Sequence, residues 1–335
     1  MRRYLGFVVL MAIPMLMCFA FSGCKEKNKQ FHIGVLQWTE KIQPFNETYK
    51  GVLDGLNDKG YKQGINLIVD YKNAEQDKKL ALEIAREFVK KKVDLIVALG
   101  TGSSLAALEA TKKEQIPIVF SIVGAPKATG IIKDYDDSGR NITGVSMRVP
   151  VKEQFEMVKE VLPEAKTLGV IYCTEMPQAV ATGKEATTVA PELGWACLTV
   201  SFSKEKLPEL EKMVRSLAEK VDALYVPTDP ILDSPENMRT IIRVCDEKPI
   251  PVIGVAEKFV EGGVFGVLMS VHCDFYGIGR QATDPIIRVL RGVDVRTIPS
   301  QKPIIKRLSL NLKKAQHLNI NIKRNVILKA DNILD

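Results

Sequence analysis

Leu95-Ile96-Val97-Ala98-Leu99-Gly100-Thr101-Gly102-Ser103-Ser104 decides the fold. The strand expected at 94–99 is, after Asp94, continuously apolar rather than alternating, as in a parallel strand covered on both faces. A Gly-rich turn follows it, and a helix over 103–113 starts under serine hydroxyls. Outward from this unit the same βα alternation continues. Apolar, β-branched runs predict strands at 32–36, 65–71, 117–122 and 142–146, with helices over 44–59 and 77–91. In the latter, Leu80, Ile84, Phe88 and Val89 recur at helical spacing, with charged residues on the other face. A second series then begins: helix 150–162, strand 167–172, helix 178–193, strand 195–201, helix 204–220, strand 223–226, helix 234–247 and strand 250–255. Two such series define an α/β chain of two doubly wound parallel-sheet lobes. Lys59-Gly60-Tyr61 and Leu193-Gly194-Trp195 supply glycine helix caps at matching places in both.

The remaining pieces are strand 264–269, helix 274–291, strand 304–309 and a short helix over 312–318. They are too few for a third domain and are expected to complete the two lobes through a hinge crossed more than once. The expected division is 31–146 plus about 271–293 for the first lobe and 147–270 plus about 294–321 for the second, with 322–335 as a tail.

The N-terminus has a separate logic. Arg2 and Arg3 precede an apolar run from Leu5 to Phe21, which ends in Ser22-Gly23-Cys24 and a polar spacer, 24–30. A basic start, a short apolar stretch and small residues at its end have the layout of an export signal. A cysteine directly after Ser-Gly resembles the bacterial lipobox, so 1–23 is expected to be a lipoprotein signal peptide with Cys24 as the lipidated N-terminus. The alternative is an uncleaved anchor, at the short end of the roughly 20 residues a span needs. Both place the lobes outside the cytoplasm, on a bacterial membrane.

The 335 residues carry a net charge of +7, 46% hydrophobic and 26% charged residues, a balance ordinary for a globular protein. This mild, dispersed positive balance, on an exported chain, argues against nucleic acid. Cys173, Cys197, Cys245 and Cys273 form no CxxC, and a domain of this size folds without disulfides, so free thiols are expected. The three histidines, His32, His272 and His317, have no metal-ligand or triad spacing. Neither a metal nor a cofactor is expected, and no base with an orienting partner can be named, so the chain reads as a binder rather than an enzyme.

In open α/β sheets ligands lie beyond the carboxyl ends of the strands. That rule selects Trp38 and Glu40, Thr101, Ser103 and Ser104, Ser121, Thr174, Thr228 and Asp229, and Glu257. Helix N-termini hold carboxylates or phosphates through free N–H groups and a partial positive charge. Thr101 to Ser104 therefore form the sharpest candidate, although Ser103 also suits a plain N-cap. Trp38 offers a stacking face. Asp229, between Pro227 and Pro230, suits either a ligand ammonium or a turn.

Segments spread over about 32–321 carry a family resemblance. They include Ile33-Gly34-Val35-Leu36-Gln37, Lys92-Val93-Asp94-Leu95-Ile96-Val97-Ala98, Asn141-Ile142-Thr143-Gly144-Val145-Ser146, Ala223-Leu224-Tyr225-Val226-Pro227-Thr228-Asp229 and Tyr276-Gly277-Ile278-Gly279-Arg280-Gln281. Together they resemble the substrate-binding components of ABC importers, in the family of the tryptophan/tyrosine-type binding proteins. The resemblance implies a type I periplasmic-binding-protein fold with three crossovers. It also implies a small polar ligand, an amino acid and aromatic if Trp38 stacks on it, enclosed between closing lobes, and a membrane permease and an ATPase as partners of a monomeric receptor. The chain departs from the family at Val123-Gly124-Ala125-Pro126 and at Gly254-Val255-Ala256-Glu257, where acidic residues are common. A receptor for a membrane sensor stays open as an alternative, as does an exported hydrolase or racemase using Cys173.

Overall fold

The computed structural model describes residues 30–262 and 266–335. The signal 1–23, Cys24, nearly all of the spacer and positions 263–265 lie outside the described residues. Among the described residues no helix is long and apolar enough to cross a membrane.

Phe31–Gln37 (β1), Leu67–Asn73 (β2), Leu95–Leu99 (β3), Ile118–Val123 (β4) and Ile142–Ser146 (β5) form an all-parallel sheet in the order β2-β1-β3-β4-β5. Helices Gln43–Asp58 (α1), Lys78–Lys90 (α2) and Thr101–Ala110 (α3) connect its strands. Side chains alternate along each strand. Ile96, Ala98 and Phe120 pack with Phe88 and Ala107 on one face, and Val35, Val97 and Val119 with Val52 on the other. Asp77 caps α2, accepting from the Lys79 and Leu80 amides at 2.6 and 3.0 Å.

The second lobe comprises strands Thr167–Cys173 (β6), Ala196–Phe202 (β7), Ala223–Tyr225 (β8), Val252–Gly254 (β9), Met269–Cys273 (β10), Lys306–Asn311 (β11) and Asn332–Leu334 (β12). Their order is β12-β11-β10-β9-β8-β6-β7, parallel except between β10 and β11. Helices Val151–Val161 (α4), Pro177–Glu192 (α5), Leu210–Ala218 (α6) and Pro235–Asp246 (α7) serve this lobe. Helix Phe275–Leu290 (α8) crosses back to the first lobe and lies on α1 so closely that a Cβ at Gly51 would collide with the Tyr276 carbonyl. Short helices Leu312–His317 (α9) and Arg324–Ile327 (α10) follow β11. The chain thus passes between lobes at Ser146–Val151, at Cys273–Phe275 and between α8 and β11. Arg307 Nη2 pairs with Asp274 Oδ2 at 2.5 Å, and Lys306 with Glu153, tying the three passages together.

Four features differ from the sequence reading. The strand expected at 264–269 sits at 269–273 and pairs with β9 and β11, so 271–273 belong to the second sheet. A long apolar run does not mark its own register. Conversely, 295–301 stay with the first lobe: the Ser146 amide donates to Gln301 O at 2.8 Å and the Gln301 amide to Gly144 O at 2.8 Å. Residues 322–335 are no loose tail, because β12 pairs with β11. The helix expected at 204–220 begins as a 3-10 turn, Lys204–Glu209, with Pro208 inside it.

Candidate functional site

The carboxyl ends of both sheets face the junction of the lobes, and a cavity lies there. First-lobe residue Gly124 lines it, with Met147, Arg148 and Val149 from the first crossover and Phe275 from the second. The second lobe contributes Gln154, Gln178, Thr182, Tyr225, Thr228, Val255 and His272. A bulge at Ile122, whose φ is 53, interrupts β4 two residues before Gly124 at the cavity.

On the first lobe, α3 starts at Thr101 with Gly100 as N-cap, not at Ser103. Gly100 has φ 102, which favours glycine, and no side chain caps the helix. Helices α2, α7, α8 and α9 are capped by Asp77, Ser234, Asp274 and Asn311, whereas α1, α4, α5, α6 and α10 lack a side-chain cap as α3 does. The first turn of α3 thus keeps its N–H groups uncapped. The Trp38 indole lies across that turn, since a Cβ at Gly102 would overlap its ring. Ser103 is fully buried and its Oγ has no protein partner; Ser121 is in the same state on β4. Ser104 instead returns its hydroxyl to Gly100 O at 2.8 Å. Glu40 is exposed and accepts from the Tyr71 hydroxyl at 2.7 Å. Burial first, and that carboxylate second, push the Tyr71 hydroxyl above its ordinary pKa.

On the second lobe, half-buried Thr228 lines the cavity, whereas its neighbour Asp229 turns inward. Asp229 Oδ2 accepts from the Cys173 amide at 2.7 Å, and Oδ1 from the Ile231 and Leu232 amides at 2.9 and 3.4 Å. Burial raises its pKa against the pull of those three donors. The carboxylate is committed to shaping the β6 and β8 ends. Thr174 is exposed, its hydroxyl on Phe202 O at 3.2 Å. Glu257 is exposed and accepts from Asn332 Nδ2 at 2.8 Å, with His272 Nε2 3.5 Å from its other oxygen. Burial lowers the His272 pKa, which leaves the ring neutral at neutral pH.

Two groups at the cavity escaped the sequence reading. Arg148 pairs with Glu185, and the Tyr225 hydroxyl donates to Gln154 Oε1 at 2.9 Å. Arg148 was reachable, because it follows β5 by two residues. Glu185 lies in the middle of α5 and gives no local signal. All four described cysteines are free thiols. Burial, and then Glu175 2.9 Å from its sulfur, push the Cys173 thiol up to about 11, a poor starting point for a nucleophile or base.

Two doubly wound lobes, three crossovers and a cavity at their junction define a two-lobed solute-binding protein. Residues 32–334 match the family described as ABC transporter substrate binding protein, and the chain belongs to it. A tyrosine-binding protein of Clostridioides difficile (strain R20291) is 34% identical over 274 residues, covering 82% of this chain and 76% of that one. A ligand-free, open substrate-binding protein with adhesive properties from Clostridium difficile superposes with a TM-score of 0.78 at 28% identity, over 91% of this chain and 98% of that one. An L-Trp complex from Streptococcus pneumoniae gives 0.71 at 27% identity, over 91% and 100%. The chain is thus a substrate-binding protein of an ABC transporter.

Proposed function

We propose that this protein is the lipid-anchored, extracytoplasmic receptor of an ABC importer and that its ligand is an amino acid with an aromatic side chain. The observation that carries the ligand assignment is the uncapped first turn of α3 beneath the Trp38 indole. Uncapped amides and the positive end of the helix suit a carboxylate, with Thr101 and Ser103 beside it, and the indole suits a ring. Relatives named for tyrosine and crystallised with L-Trp support the same class. Glu40 on one lobe and Glu257 on the other are the carboxylates we assign to the ammonium, and Thr228 adds a hydroxyl from the cavity wall. Ser121, Ser104 and Thr174 contribute less, the last two because their hydroxyls already bond to backbone.

Among the described residues no hydrogen bond or ion pair links the first-lobe loops 38–40 and 100–104 to the second-lobe loops 174–175, 228–229 and 255–257. A ligand touching both sets favours the closed arrangement through its differential contacts. The closed monomer then presents itself to the permease and its ATPase.

A ligand that binds only the folded state stabilises it by about 2.7 kcal/mol at a hundredfold excess over Kd. A melting screen against amino acids, sugars, nucleosides and polyamines is expected to give shifts confined to amino acids, tyrosine, tryptophan and phenylalanine foremost. Shifts with sugars or nucleosides alone would refute the ligand assignment, and turnover of a ligand would refute the receptor. For the anchor, mass spectrometry of membrane-extracted protein is expected to show an acylated N-terminal Cys24. Cys24→Ser should yield an unacylated chain; an unmodified Cys24 or an intact Met1 in the wild type is the contrary result.

A further inference from the structure

Arg148 stands at the pivot, on the first passage between lobes, and its side chain lines the interlobe cavity. Its Nη2 is held by Glu185 Oε2, and the other oxygen of Glu185 accepts from the Val151 amide at 3.1 Å. The Nε of Arg148 is buried and has no protein partner. Nearby polar groups are already bonded to one another: Tyr225 to Gln154, Gln154 Nε2 to Val149 O at 2.8 Å, and Thr182 Oγ1 to Gln178 O at 2.8 Å. Met147, Val149, Val255 and Phe275 contribute the apolar part of the wall, and Thr228, Gln178 and His272 line it as well.

A buried donor without an acceptor is costly, and an arginine keeps its charge and its fork of donors at any pH the protein meets. Glu185 already balances that charge. A second carboxylate would meet the repulsion of Glu185 along with the donor, whereas a neutral oxygen meets only the donor. A ring packed on Met147, Val149, Val255 and Phe275, with one neutral oxygen at its far end, satisfies both features.

Building on the aromatic amino-acid reading, we propose that Arg148 determines specificity. Held in plane by Glu185, it donates to a neutral hydroxyl oxygen on the ligand ring and so selects a phenolic amino acid over one with a plain phenyl or indole ring. An indole N–H is itself a donor and cannot serve as its acceptor. Glu185 is the positioning residue of the pair.

The test is calorimetric titration of the purified protein with L-tyrosine, L-phenylalanine and L-tryptophan. The wild type is expected to bind tyrosine at least about tenfold more tightly than phenylalanine, because a site built around a hydroxyl rejects the analogue lacking it. Arg148→Met should erase that ratio, weakening tyrosine by about tenfold or more and phenylalanine by less than about threefold. Arg148→Lys keeps the charge, lacks Nε, and should erase the ratio too; it carries the test if the methionine variant does not fold. Equal weakening of both ligands would mean that the guanidinium holds the shared α-carboxylate, and an undiminished tyrosine preference would mean that it holds neither. Either result overturns the Arg148 assignment alone. A wild type that binds none of the three overturns the aromatic amino-acid reading and this assignment with it.

Discussion

Lys314→Ala is expected to lower the unfolding free energy by about 3–5 kcal/mol, the usual cost of removing one partner of a buried ion pair. Lys314, on α9, is fully buried and its ammonium meets the Asp246 carboxylate at the end of α7. Its amide is also held by Asn311 Oδ1 at 2.8 Å, so the backbone stays in place when the side chain goes. What remains is a carboxylate stripped of its counter-charge beside Cys245, whose thiol burial and then Asp246 already push up to about 12. Trp195 lies in this lobe and Trp38 in the other, so urea unfolding followed by fluorescence in a Trp38→Phe background reads this lobe alone. The Trp195 transition should move to lower urea. Lys314→Met with Asp246→Leu should recover most of the loss, since apolar residues of similar volume often replace a buried pair without penalty. A shift below about 1 kcal/mol for the single variant would show that water reaches Asp246 well enough to replace the lysine.

The βα alternation was legible because parallel strands announce themselves as apolar, β-branched runs, and β5 fell at its expected bounds. The glycine caps were legible too: Gly60 and Gly194 have φ 87 and 81, and the amides of Tyr61 and Trp195 reach back to Leu56 O and Ala190 O. Hydrophobic pattern carries no information about which sheet a strand joins. Hence 271–273 and 295–301 lie on the sides of the hinge opposite to those expected. Of the residues that the strand-end rule selects, Thr228 lines the interlobe cavity, and Gly100 to Ser104 contain an uncapped helix start. It does not say which way a side chain turns, and there Ser104 and Asp229 depart from it. Arg148 and Glu185 meet only because α5 packs beside the first crossover, a tertiary event without a local signal.

Asp229→Ala is expected to cost stability, not affinity. A ligand-binding carboxylate faces the cleft with lone pairs to spare, and losing it weakens binding by about one to two decades while the empty protein keeps its stability. The Asp229 carboxylate does the opposite. It is fully buried and bridges the end of β6 to the turn after β8, accepting from Cys173, Ile231 and Leu232. Two of these bonds are short, at 2.7 and 2.9 Å, and bonds to a charged acceptor contribute about 1.5–3 kcal/mol each. Truncation leaves their amides without an acceptor and should lower the unfolding free energy by about 3–5 kcal/mol. Asp229→Asn keeps one acceptor oxygen but sets an NH2 against a backbone donor, so it should fall between the wild type and Ala. Titration of ligand at a temperature where the variants remain folded should return a Kd within about threefold of wild type. If Asp229→Ala instead keeps its urea midpoint and loses ligand by a decade or more, the carboxylate turns outward in the bound state, and the ammonium partner is Asp229 rather than Glu40 or Glu257.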